Sequence, residues 1–167
     1  IRFCDAFSIP VLSLVSATGF DTTVANEKSV AREAARLIHT FADASAPKVT
    51  LLTGEAYGSA YLTMNSGHIG ADLVYAWPTA SVGMMPAENA VKIIYNDEIN
   101  ASDDAQGLIA EKAAAYAALQ TSPESAAGRG YVDAVIEPES TRQHLIAAFE
   151  MLYSKRAVRP SKKHSTL

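Results

Sequence analysis

Backbone amides at the start of one helix are the groups in this sequence best suited to do chemistry. A β-branched and apolar run over residues 48–53 is followed by small residues at Gly58, Ser59 and Ala60. This pattern predicts a buried strand, a tight turn and a helix whose first turn carries little side-chain bulk. Because the first N–H groups of a helix have no partner inside it, a negatively charged oxygen can approach the amides of Ser59 and Ala60 closely. Such donors form an oxyanion hole, which stabilises charge that develops in a transition state.

A structural interpretation of the same small residues stays open. Small side chains after a strand also permit a helix to pack closely against a sheet, and helix starts bind anions readily without having to do so. The amides of Ser59 and Ala60 are therefore a hypothesis that needs support from the elements around them.

Composition narrows the class of protein. The chain has 167 residues, of which 49% are hydrophobic and 19% are charged, as expected for one globular domain with a substantial core. No apolar run reaches the roughly 18 residues of a membrane helix, and the N-terminus lacks a signal-peptide pattern. The single cysteine, Cys4, and four histidines without paired spacing predict neither a disulfide nor a metal site. We expect a cytoplasmic protein with no membrane span.

The formal net charge of −4 is unevenly distributed. A basic C-terminal tail, residues 154–167, contains no acidic residue and carries Lys155, Arg156, Arg159, Lys162 and Lys163. A short tail is poor support for nucleic-acid binding, which needs a larger basic face with interleaved aromatic residues. We expect the tail to lie along an acidic surface of this or a neighbouring subunit or to be solvated, with contact to a phosphorylated ligand as a third option.

Hydrophobic periodicity predicts alternating strands and helices along the chain. The predicted strands cover residues 11–15, 48–53, 73–77 and 131–136, and residues 82–85 are predicted as strand or extended chain. The predicted helices cover 24–44, 58–66, 87–95, 102–119, a short helix from 122 to 128 or 130 and, capped by Thr141, 141–153. Repeated crossings of this length imply a mostly parallel sheet with helices on its outside. The chain opens at Ile1 in what resembles the end of a helix, so we expect it to start inside a larger domain.

Several short motifs also carry a family resemblance. They are Arg2-Phe3-Cys4-Asp5-Ala6-Phe7, Ile9-Pro10, Gly19-Phe20, Pro47-Lys48-Val49-Thr50, Ala56-Tyr57-Gly58-Ser59-Ala60-Tyr61, Gly70-Ala71-Asp72, Ala76-Trp77-Pro78-Thr79-Ala80, Arg129-Gly130-Tyr131-Val132-Asp133, Ile136-Glu137-Pro138, Thr141-Arg142 and Lys162-Lys163-His164. In their joint order and spacing they resemble the C-terminal half of the carboxyltransferase subunit of biotin-dependent acyl-CoA carboxylases and decarboxylases. That group contains propionyl-CoA carboxylase β subunits and methylmalonyl-CoA decarboxylase α subunits.

The resemblance implies a crotonase-like α/β fold of ββα units, here lacking its first unit. Residues 1–153 would form part of the C-terminal, biotin-side domain, and 154–167 would form the tail. The implied activity is carboxyl transfer between carboxybiotin and a short-chain acyl-CoA of the propionyl-CoA or methylmalonyl-CoA type.

The resemblance also assigns roles to individual residues. The amides of Ser59 and Ala60 would be the catalytic groups that hold the ureido oxygen of biotin. The residues implied to bind or shape the biotin site are Gly19, Phe20, Tyr57, Gly58, Tyr61 and Leu62. Leu62 occupies the position linked in the family to acyl-chain preference. One of the two tyrosines would line the pocket while the other packs inward.

The partners implied by the resemblance lie outside this chain. They are an N-terminal, acyl-CoA-binding carboxyltransferase half with its own oxyanion hole, a biotin carboxyl carrier protein, and further copies in a homo-oligomer. Because no counterpart of the acyl-CoA half is found in the sequence, this chain alone is expected to be inactive.

One loop departs from the family pattern. Family members usually carry a proline at the position of Thr18 and paired glycines at the positions of Lys28 and Ser29, so the loop here is expected to be stiffer. This departure keeps a noncatalytic assembly module of the same fold as an alternative. A second alternative is a crotonase-type enzyme that acts on acyl-CoA without biotin, such as a hydratase or isomerase.

A nucleophilic role for Ser59 is the least favoured alternative. The Gly-x-Ser-x-Gly pattern is absent, and a nucleophile needs a base within hydrogen-bond reach. Hydrolases of the crotonase architecture place a histidine on a following strand, where this chain has Val82, Gly83, Met84 and Met85.

Overall fold

Strands and helices alternate in the computed structural model, which describes residues 1–157. The strands are β1 (Val11–Ala17), β2 (Lys48–Tyr57), β3 (Leu73–Ala76), β4 (Ser81–Gly83) and β5 (Ala134–Val135). The helices are α1 (Arg2–Ala6), α2 (Val24–Glu27), α3 (Val30–Asp43), α4 (Gly58–Thr63), α5 (Ala87–Ile94), α6 (Asn96–Ala101), α7 (Ala105–Tyr116), α8 (Pro123–Gly128) and α9 (Thr141–Leu152). A π-helical turn, Ala117–Thr121, and short 3-10 turns at Gly67–Ile69 and Pro138–Ser140 complete the described elements.

The strands form one parallel sheet, as the sequence predicts. Its order is β1-β2-β3-β5, with β4 also paired to β2. The first part of β2 lies between β1 and β3, while its last three residues pair with β4, so that Tyr57 lies opposite Gly83. Strand β2 therefore carries the chain from the middle of the sheet to the point where α4 begins.

The core joins the sheet to α4 and α8. The buried cluster consists of Val15, Leu52, Ala56, Tyr61, Val74, Ala76, Ala80, Val82, Ala126 and Val132. Tyr61 belongs to α4, so burial of its ring holds that helix against the sheet. A buried aromatic ring removes a large apolar area from water, which makes this contact a strong anchor for α4.

Helix α4 ends earlier than the predicted 58–66. Asn65 has φ +62°, in the left-handed region where asparagine commonly terminates helices. Its carbonyl oxygen accepts a hydrogen bond from Thr50 Oγ1 (2.6 Å), and its Nδ2 donates to the same hydroxyl oxygen (3.0 Å). These buried contacts to β2 fix the end of α4.

The predicted helix over 24–44 is two helices in the structure. Thr23 Oγ1 accepts a hydrogen bond from Asn26 N (3.3 Å) and caps the short α2. Ser29 lies between α2 and α3 with φ −122°, which is not helical. The break therefore falls on Lys28 and Ser29, within the loop that departs from the family pattern.

Two further helix boundaries differ from the prediction. Helix α7 begins at Ala105 rather than at residue 102, because Asp104 Oδ1 accepts a hydrogen bond from Gly107 N (2.9 Å) and caps it there. The predicted cap at Thr141 is wrong, since Thr141 is the first residue of α9 and Ser140 precedes it. Thr141 Oγ1 instead accepts a hydrogen bond from Trp77 Nε1 (2.9 Å), which attaches α9 to the sheet.

Strand β5 is much shorter than the predicted 131–136. The carboxylate of Asp133 accepts a hydrogen bond from Val74 N (2.7 Å) and so replaces a backbone acceptor at that point of the ladder. Asp133 N donates to Val74 O (2.8 Å), and Ile136 N donates to Ala76 O (2.8 Å). The segment is attached to β3 at both ends although only Ala134–Val135 is a strand.

Two aspartates, Asp72 and Asp5, form hydrogen bonds to the backbone at or just before the start of β2. Asp72 Oδ2 accepts a hydrogen bond from Lys48 N (2.8 Å) and forms an ion pair with Lys155 Nζ (2.8 Å). The first basic residue of the tail thus lies on an acidic group of its own chain. Residues 158–167, which include Arg159, Lys162 and Lys163, lie outside the described part, so the course of the tail beyond residue 157 stays a prediction.

Asp5 is the second of these aspartates. Burial acts to raise its pKa, but the amides of Ala46 and Ser45, the Ser45 hydroxyl and the charge of Lys48 together lower the pKa below its ordinary value. Asp5 Oδ1 accepts hydrogen bonds from Ser45 N (2.6 Å) and Ala46 N (2.9 Å). Because the pKa is lowered, Asp5 stabilises the fold above its unfolded pKa of about 3.9, and this stabilisation is lost as the pH falls through the lowered value.

Candidate functional site

The turn between β2 and α4 requires glycine. Tyr57 is extended, with φ −115° and ψ 138°, and Gly58 then takes φ +56°. A Cβ atom at Gly58 would lie 3.0 Å from the carbonyl oxygen of Met84, which is tighter than ordinary contact. Glycine adopts positive φ without steric cost, so Gly58 can turn the chain sharply beneath this carbonyl.

The predicted amides of Ser59 and Ala60 lie in the first turn of α4. The residue that precedes the helix, Tyr57, makes no side-chain capping hydrogen bond in the described structure. Ser59 is exposed, whereas the Ala60 side chain is buried. Thr63 Oγ1 donates a hydrogen bond to Ser59 O (2.7 Å) and strengthens this short helix. The first-turn amides are thus left without a side-chain cap on a well-anchored helix.

A cavity of about 370 Å³ borders the start of α4. Its lining residues come from α4, the 3-10 turn at Gly67–Ile69, β4 with the residue after it, and the segment from the end of α7 to residue 131: Gly58, Tyr61, Leu62, His68, Val82, Gly83, Met84, Tyr116, Gln120, Thr121, Ala126, Arg129 and Tyr131. Its volume falls within the range of small-molecule sites. We call it the α4 cavity.

The structure brings together part of the predicted biotin site. Gly58, Tyr61 and Leu62 line the α4 cavity. The other predicted site residues, which are Gly19, Phe20, Tyr57, Ser59 and Ala60, are not among its lining residues. Of the two tyrosines, Tyr61 is the one that lines the cavity, while Tyr57 is buried in the core beside it.

The turn at Gly19 and Phe20 lies at the same edge of the sheet as α4. It follows β1, whose last residue, Ala17, pairs with Ala56 near the end of the parallel strand β2. Phe20 is partly exposed, and a Cβ at Gly19 would meet nothing within 4 Å. The turn is therefore open to solvent in this chain.

Tyr61 contributes a donor without a partner. Its side chain is 4% exposed, and its hydroxyl has no hydrogen-bond partner within the described structure. Burial raises the pKa of Tyr61 to about 12, so the hydroxyl keeps its proton at neutral pH. The ring of His68 lies edge-on to Tyr61, with centroids 6.4 Å apart, and also contacts Tyr131.

Arg129 is a cavity residue that the sequence indicated only as part of a family motif. Its guanidinium donates to Leu119 O (3.3 Å) and Gln120 O (3.4 Å), and also to Gln120 Oε1. Arg129, Tyr116 and Gln120 are far from α4 in sequence, whereas His68 follows the end of α4 by five residues. The motif that contains Arg129 was the available signal for its importance, but nothing in that motif indicates a place beside α4.

Other kinds of site find no support in the part of the chain that the structure describes. Within residues 1–157, Ser59 Oγ makes no hydrogen bond to a base, and no cluster of three or more acidic, histidine or cysteine side chains is arranged to hold a metal ion. None of the described helices has both the length and the apolarity needed to cross a membrane. The candidate site therefore consists of the uncapped amides of α4 and the α4 cavity.

The fold and site define a class of protein. A parallel sheet crossed repeatedly by outer helices, with small residues opening a helix directly after a central strand, is the crotonase-like α/β architecture predicted from the sequence. The family model described as "Carboxyl transferase domain" matches residues 1–167. The chain belongs to the carboxyl transferase domain family.

Curated relatives align with the whole chain. The carboxyltransferase subunit of propionyl-CoA carboxylase from Haloferax mediterranei is 45% identical over 168 residues, covering 100% of this chain and 33% of the relative. Methylmalonyl-CoA decarboxylase subunit alpha from Propionigenium modestum is 42% identical, covering 100% and 32% respectively. The chain spans about a third of the length of the curated relatives it matches.

Solved structures agree with the fold. The crystal structure of transcarboxylase 12S, a hexamer assembly described with methylmalonyl-coenzyme A and methylmalonic acid bound, matches with a TM-score of 0.93 and 42% identity. The match covers 98% of this chain and 32% of that one. The β subunit of geranyl-CoA carboxylase from P. aeruginosa has a TM-score of 0.78 at 23% identity over 98% of this chain and 32% of its own, which is a likeness of fold alone.

Proposed function

We propose that this chain supplies the biotin-facing half of a carboxyltransferase site. The reaction is carboxyl transfer between carboxybiotin and a short-chain acyl-CoA of the propionyl-CoA or methylmalonyl-CoA type. Relatives described as propionyl-CoA carboxylase and methylmalonyl-CoA decarboxylase subunits support the class of reaction. The observation that carries the assignment is the Gly58 turn, which opens α4 beside a cavity and leaves its first amides without a side-chain cap.

The main-chain donors of this chain fit a ligand with an oxygen acceptor. When bound, carboxybiotin supplies the carboxyl group, and its ureido oxygen becomes negatively charged as that group leaves. The amides of Ser59 and Ala60, in the uncapped first turn of α4, are the donors for this oxygen. Donors that are already in place stabilise the developing charge without reorganising, and each is worth roughly 3 to 4 kcal/mol in other enzymes.

The remaining residues of the proposed biotin site shape the approach. Gly58 allows close access to the amides because it has no side chain, and Leu62 gives the cavity an apolar wall near the start of α4. Tyr57 packs in the core behind them, and Gly19 and Phe20 form the open turn at the same edge of the sheet.

The complete enzyme in this proposal has further parts. An N-terminal carboxyltransferase half binds the acyl-CoA and stabilises its thioester enolate, a biotin carboxyl carrier protein delivers biotin, and the subunits form a homo-oligomer. In this transfer the ureido group would keep the electron pair of the N–CO₂ bond and take up the proton that the acyl-CoA α-carbon loses, and the α-carbon would form the new C–CO₂ bond. This chain on its own does not turn over, because its residues provide donors for only one of the two reactants.

Turnover with and without biotin tests the proposed function. We expect the complete enzyme to move a labelled carboxyl group from methylmalonyl-CoA to free biocytin, with no consumption of acyl-CoA when biocytin is omitted. Hydration or isomerisation of an acyl-CoA without biocytin would instead indicate a biotin-independent crotonase-type enzyme. Absence of any turnover and of biocytin binding in the assembled enzyme would indicate an assembly module, and either result would refute the proposal.

A further inference from the structure

One wall of the α4 cavity is built from the π-helical turn at Ala117–Thr121. The turn continues directly from α7, and two of its residues, Gln120 and Thr121, line the cavity together with Tyr116 at the end of α7. π-helical turns are rare in proteins and occur frequently at functional sites. The place that this turn takes therefore sets the width of the cavity on the side facing α4.

Two side chains, one in α8 and one directly after it, bind the carbonyl groups at the end of the turn. Ser125 Oγ donates a hydrogen bond to Leu119 O (2.7 Å). Arg129 donates to the same oxygen from Nη2 (3.3 Å) and to Gln120 O from Nη1 (3.4 Å), and its Nη2 also donates to Gln120 Oε1. The last carbonyl groups of a helix have no partner inside it. The α8 segment supplies partners here and so holds the turn from outside.

The opposite side of the turn packs against β4. Thr121 is 3% exposed, and a Cβ atom at Gly83 would lie 3.0 Å from Thr121 Cγ2. Gly83 lies opposite Tyr57 in the pairing of β4 with β2, and Gly58 opens α4 directly after Tyr57. The turn is thus fixed between the polar contacts from α8 and a close contact with the strand beside the start of α4.

We propose that Ser125 and Arg129 are positioning residues for biotin, because they hold the π-helical turn where Gln120 and Thr121 form the cavity wall. This inference rests on the proposed function, which places biotin at the start of α4 beside this cavity. The two residues act on the wall and not on the amides that face the developing charge. Their loss is therefore expected to weaken ground-state and transition-state binding equally, which raises the KM for biocytin and leaves kcat unchanged.

Ser125→Ala is the most direct test, because Ser125 is not among the residues that line the cavity. The cap of α8 is kept, since it uses the backbone amide of Ser125 and the hydroxyl of Ser122 (3.1 Å). In steady-state carboxyl transfer from methylmalonyl-CoA by the complete enzyme, we expect the KM for biocytin to rise about 2- to 10-fold, the range for one lost hydrogen bond. We expect kcat and the KM for methylmalonyl-CoA to stay within about twofold. Ser125→Thr keeps a hydroxyl and is expected to restore the KM.

Arg129 variants separate the forked shape of the guanidinium from its charge. Arg129→Gln loses the contacts to Leu119 O and Gln120 O, so the KM for biocytin is expected to rise about 5- to 30-fold. Arg129→Lys keeps the charge without the fork that reaches both carbonyl groups, so most of this increase is expected to remain. Amide hydrogen exchange provides a readout independent of turnover, and we expect faster exchange in residues 117–121 of Arg129→Gln and Ser125→Ala than in the wild type.

Ser140→Ala is the matched control. Ser140 Oγ donates to Glu137 O (3.0 Å), so this variant also loses a hydrogen bond from a serine to a backbone carbonyl group, but before α9 and outside the cavity lining. We expect it to leave the KM for biocytin and the exchange of residues 117–121 unchanged.

Three results would overturn the inference: a wild-type KM for biocytin in folded Ser125→Ala and Arg129→Gln enzymes, an equal rise in Ser140→Ala, or a loss confined to kcat. Full recovery in Arg129→Lys would assign the effect to charge and remove the positioning role of Arg129. The wild type separates this inference from the proposed function. If the wild type transfers the carboxyl group to biocytin and the variants keep its KM, only the positioning role fails, whereas no transfer by the wild type refutes the proposed function itself.

Discussion

Ser59→Pro is expected to lower carboxyl transfer by about 100- to 1000-fold in the complete enzyme, because proline deletes the amide hydrogen that the proposal assigns to the ureido oxygen. Ser59 is in the first turn of α4, where an amide has no partner within the helix and proline is tolerated. The fold is therefore expected to survive. The measurement is the rate of exchange between methylmalonyl-CoA and biocytin, with circular dichroism and the melting temperature as tests of folding.

Ser59→Ala is the matched control for this experiment. It removes the hydroxyl and keeps the amide, so carboxyl transfer is expected to stay within about threefold of the wild type, as for a surface side chain without a recorded partner. The opposite pattern, with activity lost in Ser59→Ala, would assign the chemistry to the hydroxyl. A folded Ser59→Pro variant with normal turnover would contradict a role for this amide.

Gly58→Ala is expected to reduce both stability and turnover. At φ +56° an alanine costs roughly 1–2 kcal/mol, and its Cβ would lie 3.0 Å from Met84 O. Relief of that contact moves the first turn of α4, and small displacements of catalytic donors cost about 10- to 100-fold in rate. We expect a lower melting temperature together with a carboxyl-transfer rate reduced by that factor.

Gly128→Ala provides the comparison for Gly58→Ala. Gly128 lies in α8, a Cβ there would meet nothing within 4 Å, and its φ is not in the left-handed region. The same substitution there is expected to leave the rate unchanged and the melting temperature unchanged or slightly higher, because alanine favours helix more than glycine does. A Gly58→Ala enzyme with wild-type stability and rate would show that the turn does not position the amides.

The order of the elements could be predicted from local pattern because each strand or helix has its own periodicity. The run over 48–53 predicted β2, and Gly58, Ser59 and Ala60 predicted the turn and the start of α4. Boundaries that depend on tertiary contacts were missed. Asn65 ends α4 through its hydrogen bonds to Thr50, and these two residues are fifteen positions apart.

The cavity could be predicted only in part for the same reason. Gly58, Tyr61 and Leu62 lie on α4 and follow from the motif that contains them. Arg129 reaches the cavity through α8 and the π-helical turn, and no spacing in the sequence connects this segment with α4. Which of Tyr57 and Tyr61 lines the cavity also depends on how α4 packs, because Tyr57 ends β2 whereas Tyr61 lies one turn into α4.

The contact between biotin and the first turn of α4 tests the central claim most directly. A structure of the complete enzyme with biocytin bound is expected to place the ureido oxygen about 2.7 to 3.1 Å from the backbone nitrogens of Ser59 and Ala60. Biocytin bound elsewhere, with these two nitrogens covered by packing from other parts of the enzyme, would contradict the claim that main-chain donors of this chain carry the chemistry.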